Sequence, residues 1–202
     1  MNYLAHLLLA GDDPDLLVGS LLGDFLKGPV PATLPARLAA GVRLHRAVDA
    51  YSDHHPSFRR SVARVPTALR RYGPIMVDVY YDHLLARGWA HHDGRSLEEF
   101  AGYSYGLLSS RQAVLPEPAQ RWVARIVEAD LLVAYRQPAT VEGALRRLGQ
   151  RLRQPRDLAA GLPAMQRQHA ELRGDFEDFF PALRHHCQAL LLEWEEGDEG
   201  YS

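Results

Sequence analysis

Apolar residues recur at three- and four-residue spacing through almost the whole chain, the period of a helix that buries one face. Pro and Gly punctuate the pattern. The spacing predicts helices over 2–10, 14–27, 34–54, 57–72, 74–88, 96–110, 117–136, 139–153 and 157–192. Pro138, Pro155 and Pro181 are expected at helix boundaries or kinks, because a proline ring removes a backbone donor and clashes with the preceding turn. No stretch keeps the period-two alternation of a half-buried strand for long, and no Asn-Gly or Asp-Gly pair lies between β-branched runs. Asp93-Gly94, after His91-His92, reads as a helix–helix turn. No internal repeat is found. The expectation is an all-α chain: a single helical domain over 1–192 and an acidic flexible tail, EWEEGDEGYS, over 193–202.

Against this apolar background a few polar residues stand out. The stretch VDVYYDHLLARGW, Val77 to Trp89, reads as a buried helix yet carries Asp78, Asp82 and His83. A carboxylate in a core is costly unless it is paired, protonated or bound to a metal. Asp78 and Asp82 are i,i+4 neighbours, whereas His83 lies about 100° round the helix from Asp82. His6 sits in YLAHLLLA, and Asp24 ends a leucine run in GSLLGDFLKG, where Gly23 permits a close backbone approach. In RLHRAVDAYSDHHP, Arg43 to Pro56, the residues His45, Asp49 and Asp53 form one stripe about 80° wide, with Arg46 at its border. His45 and Asp49 are thus able to share one ion or one hydrogen bond. Asp53, His54 and His55 precede Pro56 and read as a solvated helix end.

Each feature has a plain structural account: a satisfied core histidine for His6, a pair with Lys27 for Asp24, a buried arginine for Asp82. Taken together, four helical segments bring His or Asp into apolar sequence, which is how helical bundles assemble metal sites. An imidazole and carboxylate set without thiolate suits Mn²⁺, Fe²⁺, Mg²⁺ or a catalytic zinc, and suits structural zinc poorly.

Composition narrows the classes. With 202 residues, 47% hydrophobic and 24% charged, the chain is long and apolar enough for a sizeable core. A formal charge of −2 argues against a protein that coats nucleic acid by charge alone. The basic residues are nearly all Arg, with Lys27 the one lysine; Arg suits bidentate contact with phosphate or carboxylate. Cys187 is the sole cysteine, which excludes an internal disulfide and Cys-rich zinc sites. The start, MNYLAHLLLAGDD, has no basic leader and no small-residue cleavage site, and its apolar run is too short to span a bilayer. A cytoplasmic protein without membrane insertion is expected.

Four segments in order, MNYLAHLLLA, GDFLKG, GVRLHRAVDAYSDHHP and PIMVDVYYDHLLARGW, resemble the successive motifs of the bacterial acyl carrier protein phosphodiesterases, also called acyl carrier protein hydrolases. The match runs from Met1 to about Trp89, and FEDFFP, Phe176 to Pro181, resembles a motif near the family's end. The segment from about 90 to 170 matches in character only. The resemblance implies an all-α fold related to the HD-domain metal phosphohydrolases. It implies removal of the 4′-phosphopantetheine arm from holo acyl carrier protein, with Mn²⁺ preferred. It also implies that Asp24 is the functional aspartate of the N-terminal motif. One departure stands: the dyad reads Asp82-His83, not His-Asp, so HD ligand roles do not transfer directly.

The chemistry of a phosphodiester then suggests roles. Asp24, His45, Asp82 and His83 are expected to hold the metal, with His6 and Asp49 as further ligands or as partners that orient the imidazoles. Lys27 and Arg46 are expected to meet the phosphate, and Asp78 is the candidate general base or a carboxylate that steadies the ligands from behind. Arg59, Arg60 and Arg64, in PSFRRSVARVPTALRRYG, are the candidate dock for an acidic carrier protein. Arg146, Arg147, Arg151 and Arg153 form an alternative patch with no sequence link to the site. Two other functions remain compatible with the residues: an HD-type phosphohydrolase acting on nucleotides or other small molecules, and a non-catalytic helical protein whose core polar residues only fix packing.

Overall fold

A computed structural model describes residues 2–199, with side chains up to residue 194. Among them the fold is all-α: α1 (Tyr3–Leu9), α2 (Pro14–Leu22), α3 (Ala36–His54), α4 (Pro56–Arg64), α5 (Gly73–Arg87), α6 (Leu97–Ser110), α7 (Glu117–Glu128), α8 (Leu131–Ala134), α9 (Pro138–Gln150), α10 (Leu162–Arg167) and α11 (His169–Glu199). Short 3₁₀ turns link several of them. Among the described residues no helix is long and apolar enough to cross a membrane. Most of the acidic tail expected from 193 lies outside the residues described to the side chain, and the backbone of α11 continues to Glu199.

Where the expected helices divide, local chemistry gives the reason. The helix expected over 57–72 breaks at Val65, which is extended (φ −65°, ψ 137°) because Pro66 disfavours a helical residue before it. The helix expected over 117–136 is cut by Asp130, whose φ of 43° is left-handed. That break turns α8 inward and buries Leu131, Leu132 and Tyr135. The expected 157–192 segment is a 3₁₀ turn, α10 and α11 in succession. Pro138 opens α9 as expected, since a helix's first turn needs no donor there. Pro181, by contrast, lies inside α11.

The packing of α2 on α3 sets the scaffold of the site. A Cβ at Gly19 would lie 2.2 Å from the Leu38 carbonyl oxygen, and one at Gly41 would lie 2.4 Å from that of Leu16. Glycine at both crossing positions therefore lets the two backbones touch. One turn further on, a Cβ at Gly23 would meet the His45 ring at 2.3 Å. The same close approach seats His45 of α3 against the end of α2. Helix α5 runs through the core, burying Met76, Val77, Tyr81 and Leu85, and it contacts α1, α4 and α9.

A second polar assembly joins α4 to α11. Asp175 is buried at 4% exposure. Its carboxylate accepts from Arg60 Nε (2.8 Å), Arg64 Nε (2.9 Å) and Ser61 Oγ (3.1 Å). Ser61 also bonds the Tyr81 hydroxyl at 2.8 Å, and Arg60 reaches Asp178 at 2.9 Å. Around it Phe58, Tyr81, Phe176 and Phe179 pack ring against ring. The FEDFFP segment is thus a packing seam, its phenylalanines in the core and Asp178 on Arg60 of α4.

Candidate metal centre and cavity

His6, on the buried face of α1, points its ring at α3. Its Nε2 lies 3.2 Å from Asp49 Oδ1, while His45 Nε2 lies 3.4 Å from Asp49 Oδ2. The two imidazoles stack with centroids 3.8 Å apart and planes 12° apart. Both histidines are buried, whereas the Asp49 side chain is 48% exposed. Ligand atoms of His6, His45 and Asp49 all lie within 4.8 Å of one another. Asp24 stands at the edge, with Oδ1 3.7 Å from His45 Nε2; burial and the nearby Asp24 carboxylate raise the Tyr3 pKa.

The donor set fits a divalent cation. Burial, helped by the neighbouring His45, lowers the His6 pKa to about 4, so its ring is neutral at pH 7 and offers a lone pair. Desolvation opposes charge on Asp49, but hydrogen bonds from His45 and His6 outweigh it and hold the carboxyl well below the usual carboxylate range. Two neutral imidazoles and an ionised carboxylate, without thiolate, suit Mn²⁺, Fe²⁺ or zinc. His45 Nδ1 is buried without a hydrogen-bond partner. Such an orphaned buried nitrogen is costly in a purely structural cluster.

Asp82 and His83, expected as joint ligands, are not brought into this group. Asp82 is fully buried, and its carboxylate accepts from the amides of Leu4 (2.8 Å) and Ala5 (3.1 Å). It occupies the N-terminus of α1, where free amides and the helix dipole favour an anion. Burial pushes its carboxyl up to about 7, with the two amides pulling the other way. Because Ala5 adjoins His6, this contact across 77 residues fixes the helix that carries the imidazole. His83, about 100° round α5, bonds instead through Nδ1 to the Tyr135 carbonyl at 2.7 Å. Desolvation lowers its pKa.

The cluster opens on a cavity of about 350 Å³. Its lining includes the carboxylates of Asp24, Asp49, Asp53 and Asp78 and the apolar residues Ile75, Val79, Leu131, Ala144 and Leu148. Tyr3, Trp122 and Tyr135 add aromatic surface, and Arg147 and Arg151 complete the lining. Asp78 is half-buried; desolvation raises its pKa, and the carboxylates of Asp49 and Asp53 add to the rise.

The expected cationic residues fall elsewhere. Arg46 donates to the Leu26 carbonyl at 2.9 Å, bracing the loop after α2. Lys27 is exposed, and neither residue lines the cavity. Arg60 and Arg64 are engaged by Asp175 and Asp178, so the expected dock on α4 has spent two of its three charges on α11. Arg59 is exposed and lines a separate depression with Asp53, Phe58 and Arg70. His55 caps α4, its Nδ1 accepting from the Ser57 amide. Arg147 and Arg151, the patch without a sequence link, reach the site through the tertiary fold. A signal for them was present: residues 144, 147, 148 and 151 share one helical face, half arginine and half apolar.

The sequence profile of the family described as acyl carrier protein phosphodiesterase matches residues 1–183. Proteins of that name from Photorhabdus laumondii subsp. laumondii and Serratia proteamaculans are 28% and 30% identical over 184 residues, covering 91% of this chain and 93% and 95% of theirs. One from Escherichia coli O6:H1 is 32% identical over 160 residues, covering 77% of this chain and 80% of that protein. No solved structure matches.

Proposed function

The chain belongs to the acyl carrier protein phosphodiesterase family, and from that premise we propose that it hydrolyses the phosphodiester joining 4′-phosphopantetheine to holo acyl carrier protein. The products are the free arm and apo carrier protein. The observation that carries this reading is the His6–His45–Asp49 cluster opening onto a cavity lined by both carboxylates and apolar residues. His6, His45 and Asp49 hold a divalent cation, Mn²⁺ by preference, and Asp24 beside them completes the set. When bound, the cation neutralises charge on the phosphodiester and lowers the pKa of water toward neutrality.

The remaining residues do the positioning. Tyr3 lines the cavity beside Asp24. Asp82 fixes the start of α1 and thereby the His6 ring. Asp78, raised by burial, holds a proton nearer neutral pH than a free aspartate does, and its place in the cavity lining suits proton transfer with water or the departing serine oxygen. The apolar lining accepts the arm and excludes water from it. The single buried cysteine accords with a cytoplasmic setting.

Incubation of the purified protein with holo carrier protein, followed by intact-mass measurement, tests the reading. Loss of the arm in the presence of Mn²⁺, its suppression by chelator and its recovery on adding Mn²⁺ are expected. Full activity in excess chelator, with no metal detected by elemental analysis, would sink the metal assignment. An unchanged holo mass would sink the substrate.

A further inference from the structure

We infer that Arg147 and Arg151 of the α9 segment form the anion-binding part of the cavity shared with the His–Asp cluster, gripping the oxygens of the phosphodiester. This rests on the hydrolase reading above and adds to it the residues that recognise the charged part of the substrate.

Three observations converge. The first is placement. Arg147 and Arg151 are four residues apart and line the same cavity as Ala144 and Leu148, so one helical face presents two guanidinium groups beside an apolar strip. Val141 and Leu145 of the same helix are buried in the core, which holds that face in register.

The second is partnership. Both arginines are exposed, and among the described residues neither forms an ion pair with a carboxylate. Other arginines of this chain do: Arg146, adjacent to Arg147, pairs with Glu142, and Arg136 pairs with Glu98. Arg60 and Arg64 are held by Asp175. Arg151 is steadied differently. Its guanidinium carbon lies 5.8 Å from the centroid of the Trp122 ring, and Trp122 in turn packs on Tyr3 at 5.0 Å. An aromatic face supports a guanidinium while leaving its N–H groups available in the plane.

The third is charge. The lining also carries Asp24, Asp49, Asp53 and Asp78. A phosphodiester entering such a cavity meets like charge unless cations face it. Two arginines supply that counter-charge, and a guanidinium matches two phosphate oxygens at once. The anion is then drawn toward the α9 side, and its ester carbon chain runs along Ile75, Val79 and Leu148.

The test uses the full chain loaded with Mn²⁺ and the variants Arg147→Gln, Arg151→Gln and the double substitution. Inorganic phosphate is titrated calorimetrically, which needs no turnover, and KM and kcat are measured with holo carrier protein. The double variant should weaken phosphate binding and raise KM by about ten- to a hundredfold, the scale of lost charge-assisted hydrogen bonds. Mn²⁺ affinity should stay as in the parent. Arg146→Gln, on the same helix but paired to Glu142, should leave phosphate affinity and KM unchanged. Phosphate affinity in the double variant equal to the parent's, or equal losses in Arg146→Gln, overturns the inference. A parent that binds phosphate through these arginines but leaves holo carrier protein intact overturns the hydrolase reading and keeps the anion site.

Discussion

Two buried polar assemblies in this protein look alike in sequence and differ in kind. Both set a carboxylate among cationic or imidazole partners inside an apolar bundle. Around Asp175 the carboxylate is at 4% exposure, and its oxygens are taken by Arg60, Arg64 and Ser61. In the His6–His45–Asp49 cluster the imidazoles are buried while the carboxylate faces a cavity at 48% exposure, and His45 Nδ1 lacks a partner. The first is closed, its polar groups satisfied by protein. The second is open toward a cavity, with donors converging on one point. Closure accounts for the first as packing; the second leaves imidazole and carboxylate atoms beside a cavity, the arrangement on which the proposed metal site rests.

The sharpest way to break the contrast is to exchange consequences between the two. His45→Ala should lower Mn²⁺-dependent turnover by about a thousandfold or more, because several kcal/mol of charge stabilisation go with the cation, while the urea midpoint barely moves. Calorimetric Mn²⁺ binding and denaturation on the same sample check both halves. A variant that unfolds yet binds Mn²⁺ normally when folded would place His45 with the closed network.

Asp175→Ala should do the reverse, costing about 2–3 kcal/mol of stability, since a buried anion's partners are left uncompensated, with kcat of the folded fraction unchanged. Its pH dependence has a definite sign. Desolvation raises the Asp175 pKa, but hydrogen bonds from Arg64, Arg60 and Ser61 outweigh it and hold the pKa below the ordinary value of 3.8. The unfolded chain therefore binds the proton more readily, and the network's contribution is present above that value and lost as pH falls through the folded one. The gap between parent and Asp175→Ala, read by denaturation from pH 7 downward, should close in acid. A gap constant with pH would show that packing alone is at stake.

A smaller effect tests the scaffold shared by α2 and α3. Gly23→Ala places a methyl group 2.3 Å from the His45 ring, which must move. About 1–2 kcal/mol of destabilisation is expected from overpacking, together with weaker Mn²⁺ binding. Loss of stability with unaltered Mn²⁺ affinity would separate the ring's position from the site.

Asp82→Asn is expected to be mildest, at about 1 kcal/mol, the scale of a lost helix cap. It should lower turnover through His6 more than it lowers the melting temperature. Abolished Mn²⁺ binding in a folded protein would return Asp82 to the metal.

Much of this was legible in the sequence. The helical period gave every major helix, and proline and glycine gave most ends. His45 and Asp49 were joined by their four-residue spacing, and His6 and Asp24 stood out against leucine. These are local facts, and helix geometry converts spacing into direction without further information. What the sequence left open was pairing at a distance. Asp82 and His83 are neighbours in the chain, yet one side chain reaches α1 and the other the Tyr135 carbonyl. Arg60 and Arg64 read as a free basic face until α11 brings Asp175 to them from more than 110 residues away. Arg147 and Arg151 read as remote until Asp130 breaks the preceding helix and α9 folds along the cavity. Spacing along one helix fixes which residues share a face. Which face meets which is decided by burying all the apolar stripes at once, and that solution exists only in the assembled core.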